Sequence, residues 1–139
     1  KILIEMGVPN KGTVFHDPEI DSIYEAYQSQ RSKYFIVEEN NIIKGGAGIC
    51  QLKNEAYEIC ELQKMYFDSM MRGKGLGSLM IEKCLNFAKE NKFKICYIET
   101  MPNMLDAQKL YLKFGFKYIY FPMGNTGHFA CPIWMIKSL

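Results

Sequence analysis

Two periods of apolar positions alternate along this chain, and each switch between them marks a change of element. Tyr34 to Glu38 reads as a strand, Asn40-Asn41 as a turn, and Ile42 to Leu52 as a second strand interrupted by Gly45, Gly46 and Gly48. Glu55 to Phe67 reads as a third, longer strand. The period then lengthens. Leu76, Leu79, Met80, Lys83, Cys84, Phe87 and Ala88 make a helical stripe, apolar except at Lys83, that ends near Asn91. Lys94 to Thr100 returns to a strand, and Leu105 to Phe114 to a helix with Leu110, Tyr111 and Phe114 on one side and Gly115 at the C-cap. Phe116 to Phe121 and Ile133 to Ile136 are the last strands, joined by Pro122 to Pro132. At the other end, Ile2, Leu3, Met6 and Val8 read as the apolar face of a helix stopped by Gly7 and the stretch from Pro9 to Gly12. Asp17-Pro18-Glu19 opens a second helix that carries Ile20, Ile23, Tyr24 and Tyr27. The order is helix, helix, three strands, helix, strand, helix, two strands. Without repeats or a linker, residues 1–139 read as one α/β or α+β domain.

Composition narrows the classes of function. The 139 residues are 48% hydrophobic and 14% aromatic, enough for a real core. A net charge of +2, from 17 basic and 15 acidic residues, is too balanced for nucleic acid or an anionic membrane surface as main partner. No apolar run approaches the ~20 residues of a membrane span. The five cysteines, at 50, 60, 84, 96 and 131, are odd in number and include no C-x-x-C. With His16 and His128 the only histidines, they predict no metal site, and a reducing cytoplasm in which they act as small core residues. The chain opens at Lys1, already inside an apolar stretch, as a piece of a longer protein would.

The chemistry concentrates in Arg72-Gly73-Lys74-Gly75-Leu76-Gly77-Ser78. Glycines at a helix start leave backbone N–H groups uncovered where the dipole favours an anion, and two cations stand beside them. The implied ligand is a phosphate or pyrophosphate. A P-loop is excluded because no Gly-Lys-Ser or Gly-Lys-Thr occurs, and the dinucleotide fingerprint fails because Ser78 stands where its third glycine belongs. The spacing that fits is R-x-x-G-x-G, through Arg72, Gly75 and Gly77.

That loop resembles the acetyl-coenzyme A pyrophosphate loop of the GNAT superfamily of N-acetyltransferases, and three further stretches agree. Glu61 to Phe67 resembles the family's fourth strand, Tyr97 to Thr100 its fifth, and Ala107 to Phe116 its A-x-x-L-Y-x-x-x-G-F signature. The resemblance spans residues 34 to 121. It implies a mixed, mostly antiparallel central sheet with helices on both faces, splayed between the fourth and fifth family strands. There are two departures. Met104 stands where many members carry an asparagine, with Asn103 one step earlier, and nothing before Lys1 can supply the family's first strand. A sheet without that strand has an edge that is either exposed or covered by another chain, and the second case makes a homodimer one expectation.

The implied activity is acetyl transfer from acetyl-coenzyme A to a primary amine, on a small molecule or a peptide. Its requirements are a held thioester, a polarised carbonyl, a base for the ammonium and an acid for the thiolate. The resemblance implies that the amides of Arg72, Gly73, Lys74, Gly75, Leu76, Gly77 and Ser78 hold the diphosphate. It implies too that the backbone of Met65, Tyr66 and Phe67 pairs with the pantetheine arm like an added strand. The N–H of Met65 or Tyr66 is the nearest group for the carbonyl. Glu61 is the candidate base, against a surface or ion-paired residue, with Glu99 and His128 as rivals. Tyr111 is the candidate acid, a phenol of pKa ~10 that also suits core packing. Gly124 to Phe129 reads as an acceptor-selecting loop or as a plain connection. Cys50 and Cys60 have no histidine near them in sequence, so direct transfer is expected. The alternative is a non-catalytic acyl-coenzyme A sensor, and beyond it a generic nucleotide-binding protein.

Overall fold

A computed structural model describes residues 2–5, 31–52, 55–67, 75–124 and 132–139. Strands β1 (Ile2–Glu5), β2 (Lys33–Glu39), β3 (Ile42–Gln51) and β4 (Ile59–Phe67) are followed by helix α1 (Leu76–Glu90). Strand β5 (Ile95–Thr100), helix α2 (Leu105–Lys113), β6 (Lys117–Ile119) and β7 (Ile133–Ser138) complete the order. The strands form one seven-stranded sheet in the order β1-β2-β3-β4-β5-β7-β6. Every neighbouring pair is antiparallel except β4 with β5. Asn40 and Asn41 make the β2–β3 turn with φ of 54° and 63°, the left-handed pair that a tight hairpin requires.

Strand alternation sorts side chains to two faces. On one face Phe35, Val37, Ala47, Ile49, Cys60, Leu62, Cys96, Ile98 and Met135 pack against Met80, Ile81, Cys84, Leu85 and Ala88 of α1. On the other, Leu52, Ile59 and Tyr97 form a smaller cluster bordered by Trp134 and Ile136.

Both helices end in the same device. At α2 the N–H of Phe116 donates to the Tyr111 carbonyl and that of Gly115 to Leu112, each at 3.0 Å, with Gly115 at φ 95°. The Tyr111 and Phe116 rings close the motif at 5.9 Å. The Gly115-Phe116 pair of the sequence signature is therefore a helix stop. At α1, Phe93 donates to Ala88 and Lys92 to Lys89, with Lys92 itself left-handed at φ 69°.

The structure corrects three expectations. Ile2–Glu5 is not the end of a helix but β1, paired with β2 from Ile2↔Glu38 to Glu5↔Phe35. Consecutive Ile2, Leu3 and Ile4 fit a strand, and so short a run cannot be told from helix by period alone. The sheet therefore has a strand ahead of β2, and the open β2 edge that suggested a homodimer is occupied. The third strand of the sequence reading starts at Ile59 rather than Glu55, because the N–H of Ile59 turns back to the Ala56 carbonyl at 3.0 Å. The strand expected from Phe116 to Phe121 shortens to β6, leaving Tyr120 and Phe121 exposed. The helix expected from Asp17 lies outside the described residues, so the helical cover seen is that of α1 and α2. Among the described residues, no helix is long and apolar enough to cross a membrane.

Candidate active site

The parallel pairing of β4 with β5 is short. It runs Ile59↔Ile95, Cys60↔Cys96 and Glu61↔Tyr97, and stops there. Both strands continue, β4 to Phe67 and β5 to Thr100, so the sheet opens into a fork with Glu61 and Tyr97 at its root.

Above the root, β4 carries a bulge. Gly48 pairs with Gln63 and Gly46 with Tyr66, so Lys64 and Met65 together oppose Ala47. Lys64 takes the left-handed conformation at φ 56°, a strained choice for a residue with a side chain. The extra residue resets the alternation. Leu62 and then Met65 and Phe67 lie toward the α1 side of the sheet, so the end of β4 returns to the core face. Gly45 and Gly46 make this possible, since a Cβ on Gly45 would meet the Tyr66 carbonyl at 2.6 Å.

A cavity of ≈ 650 Å³ opens beside that strand end. Met65, Tyr66 and Phe67 form one wall, Gly75, Leu76, Gly77 and Ser78 its head, and Asn103 to Ala107 with Leu110 the far wall. Its head is the first turn of α1. Gly75 is the N-cap at φ 75°, with no side-chain cap and no acidic residue in the first turn. The first intrahelical bond runs from the Leu79 N–H to the Gly75 carbonyl at 3.2 Å, so the amides of Leu76, Gly77 and Ser78 precede it. Gly77 lies close against α2: a Cβ there would stand 2.8 Å from Leu110 Cδ2 and would push that side chain aside. The cavity thus joins the part of β4 beyond its pairing with β5, a helix start without a side-chain cap and a largely apolar far wall. An extended ligand with an anionic end fits that combination.

Glu61 lies on the face away from α1, 5% exposed, beside Cys50 on β3 and Tyr97 on β5. Burial first, and then its carboxylate, push the Cys50 thiol up to about 11, so Cys50 is a protonated neighbour rather than a nucleophile. The Gln63 amide donates to the Cys50 sulfur. On β5, the Tyr97 hydroxyl donates to Glu99 Oε2 at 2.8 Å and accepts from the Met123 N–H at 3.0 Å. Burial, with the carboxylates of Glu99 and Glu61 behind it, holds that phenol protonated well above its usual range. Glu55 accepts from the Gly124 N–H at 3.0 Å, so the approach to the Gly124–Phe129 segment is tied to this face.

Tyr111 sits on the other side of the sheet. It is buried in the core beneath α2 against Phe116, and it is not part of the cavity wall. Burial pushes its phenol up to about 12. Glu61 and Tyr111 thus approach the fork from opposite faces. Asn103 and Met104 both border the cavity, so the one-step offset of the asparagine keeps it at the site. Arg72, Gly73, Lys74 and His128 lie outside the described residues. Among the described residues, no group of three or more His, Cys, Asp or Glu side chains could hold a metal ion.

The bulge at Lys64 and the Leu105–Ala107 part of the far wall escaped the sequence reading. The interruption of a strand by Gly45, Gly46 and Gly48 was the available signal, because such glycines mark a bulge or a close backbone approach.

Comparison with known proteins identifies the pattern. The profile of the Acetyltransferase (GNAT) family matches residues 3–116. A protein of Escherichia coli (strain K12) named "Uncharacterized N-acetyltransferase YjgM" is 38% identical over 130 residues, covering 94% of this chain and 78% of its own. The N-acetylaspartate synthetase of Xenopus tropicalis is 36% identical over 66 residues, which are 48% of this chain and 24% of that protein. Among solved structures, an acetyltransferase of the GNAT family from Staphylococcus aureus MU50 matches with a TM-score of 0.76 at 21% identity, over 88% of this chain and 77% of that one. The IAA acetyltransferase from Bacillus cereus ATCC 14579 matches with 0.67 at 15% identity, over 99% and 100%. At those identities the structural likeness is one of fold.

Proposed function

The chain belongs to the acetyltransferase (GNAT) family, and from that premise we propose that it moves an acetyl group from acetyl-coenzyme A directly to a primary amine of a small molecule or peptide. One observation carries this reading: the start of α1, without a side-chain cap, and the end of β4 beyond its pairing with β5 meet on one cavity.

The amides of Leu76, Gly77 and Ser78, with Arg72, Gly73, Lys74 and Gly75 before them, receive the diphosphate. The backbone of Met65 to Phe67 pairs with the pantetheine arm, and the N–H of Met65 or Tyr66 faces the carbonyl. Glu61, at the root of the fork, is the base for the ammonium, acting directly or through a water. Tyr111 serves the thiolate. With its phenol pushed up to about 12, complete transfer to a thiolate of ordinary pKa, about 8.5, runs uphill by ~3–4 pK units. Its contribution is therefore a hydrogen bond that stabilises the leaving sulfur, with solvent supplying the final proton. No enzyme-bound acetyl intermediate is involved. We read residues 1–139 as one such domain acting in the cytoplasm; the four described cysteines, all free, are consistent with that placement.

Calorimetric titration with acetyl-coenzyme A, ATP and NAD tests the donor, and free-thiol release across a panel of amines tests the transfer. Binding of the nucleotides alone overturns the donor. Acetyl-coenzyme A binding without thiol release from any amine would make the protein a sensor instead.

A further inference from the structure

The β4 bulge has a dedicated support in the opposite half of the sheet. Tyr34, on β2, is 1% exposed, and its hydroxyl donates to the Lys64 carbonyl at 2.8 Å. β3 lies between them, and the hydroxyl reaches across because Gly46 has no side chain. A Cβ at Gly46 would stand 2.6 Å from Tyr34 Cε1 and 2.8 Å from its hydroxyl oxygen. The bond thus depends on a tyrosine on one strand, a glycine on the next and a left-handed Lys64 on the third. A non-glycine residue persists in that conformation only where its surroundings over-determine it.

From these contacts we propose that Tyr34 is a positioning residue for the donor side of the site: its hydroxyl holds the bulge that turns Met65, Tyr66 and Phe67 to the cavity. The proposal rests on the acetyl-coenzyme A reading of that cavity. Tyr34 touches no ligand; it acts through Lys64. Burial keeps its phenol protonated, so the hydroxyl remains a donor through the neutral range.

Tyr34→Phe is the direct test, because it keeps the ring that fills the space and removes the hydroxyl that donates to Lys64. Two readouts are taken on the whole chain. Amide hydrogen exchange of residues 62–67, without ligand, is expected to rise about 10-fold, while α1 and β5 keep their protection. The Kd for acetyl-coenzyme A, by calorimetry, is expected to weaken by about 5- to 10-fold. A second variant separates positioning from general loosening. Lys64→Gly adopts the left-handed turn without strain, so in that background the affinity lost through Tyr34→Phe should shrink. Unchanged exchange at 62–67 overturns the proposal whatever binds. Wild-type binding with an unchanged Kd in Tyr34→Phe, or strictly additive losses in the double variant, overturns it while leaving the coenzyme reading intact. Wild-type protein that ignores acetyl-coenzyme A overturns both.

Discussion

The two ends of α1 are treated in opposite ways. Its C-terminus is closed several times over. Phe93 and Lys92 return their N–H groups to Ala88 and Lys89, and Asn91 Nδ2 donates to the Phe87 carbonyl at 2.9 Å. Arg31 then covers the end. Its guanidinium lies between the Tyr57 and Phe93 rings, 3.5 and 3.8 Å from their centroids, and donates through Nε and Nη2 to the Asn91 carbonyl. A cation there also answers the negative end of the helix dipole. The N-terminus receives none of this: a glycine N-cap, no side-chain cap, no acidic residue. Capping residues are common and inexpensive. Among the described residues, this helix of 15 residues is closed at one end and open at the other, which agrees with the anion seat proposed at its start.

The contrast breaks most visibly at Arg31. Arg31→Ala removes two ring stacks and the hydrogen bonds to Asn91, and should lower stability by about 2–4 kcal/mol, read from urea unfolding. Acetyl-coenzyme A affinity of the folded protein should stay within about twofold. Ser78→Glu attacks the open end from the other direction. A glutamate in the first turn caps the helix and should raise stability by about 0.3–1 kcal/mol. The same carboxylate competes for the amides proposed to hold the diphosphate, so affinity should fall about 10-fold or more in calorimetry. If both quantities moved the same way, the open end would not be the anion seat.

The sequence exposed these two ends unequally. The open end was legible, because glycines alternating with cations before an apolar helical stripe have few structural explanations. The far end was not: Arg31 and Asn91 are distant in the chain, and nothing local announces that a guanidinium will stack between Tyr57 and Phe93. The same rule governs the rest of the site. Glu61 and Tyr111 are proposed through their place in a family pattern, and their arrangement on opposite sides of the fork required the strand pairing. The Tyr34–Lys64 bond needs three strands in register, which no period along one strand encodes. β1 was misread for a simpler reason, since four residues are too few to distinguish a period of 2 from one of 3.6.

The smallest effects come from the two left-handed residues that flank α1, Gly75 at φ 75° and Lys92 at φ 69°. Gly75→Ala meets nothing within 4 Å, so it costs about 1–2 kcal/mol of backbone strain, offset by about 0.4–1 kcal/mol of lost unfolded-chain freedom. The net loss should be about 0.5 kcal/mol, and the methyl stands at the cavity head. A weaker acetyl-coenzyme A Kd should accompany that loss. Lys92→Gly relieves the same strain at the closed end, but a glycine gives the unfolded chain about 0.4–1 kcal/mol of extra freedom. The net gain should be only about 0.5 kcal/mol in urea unfolding, with the Kd for acetyl-coenzyme A unmoved. The two substitutions are mirror images in backbone terms. If Lys92→Gly altered coenzyme affinity as much as Gly75→Ala did, the ends of the helix would be coupled, and the division between an open, ligand-facing end and a closed, structural one would be wrong.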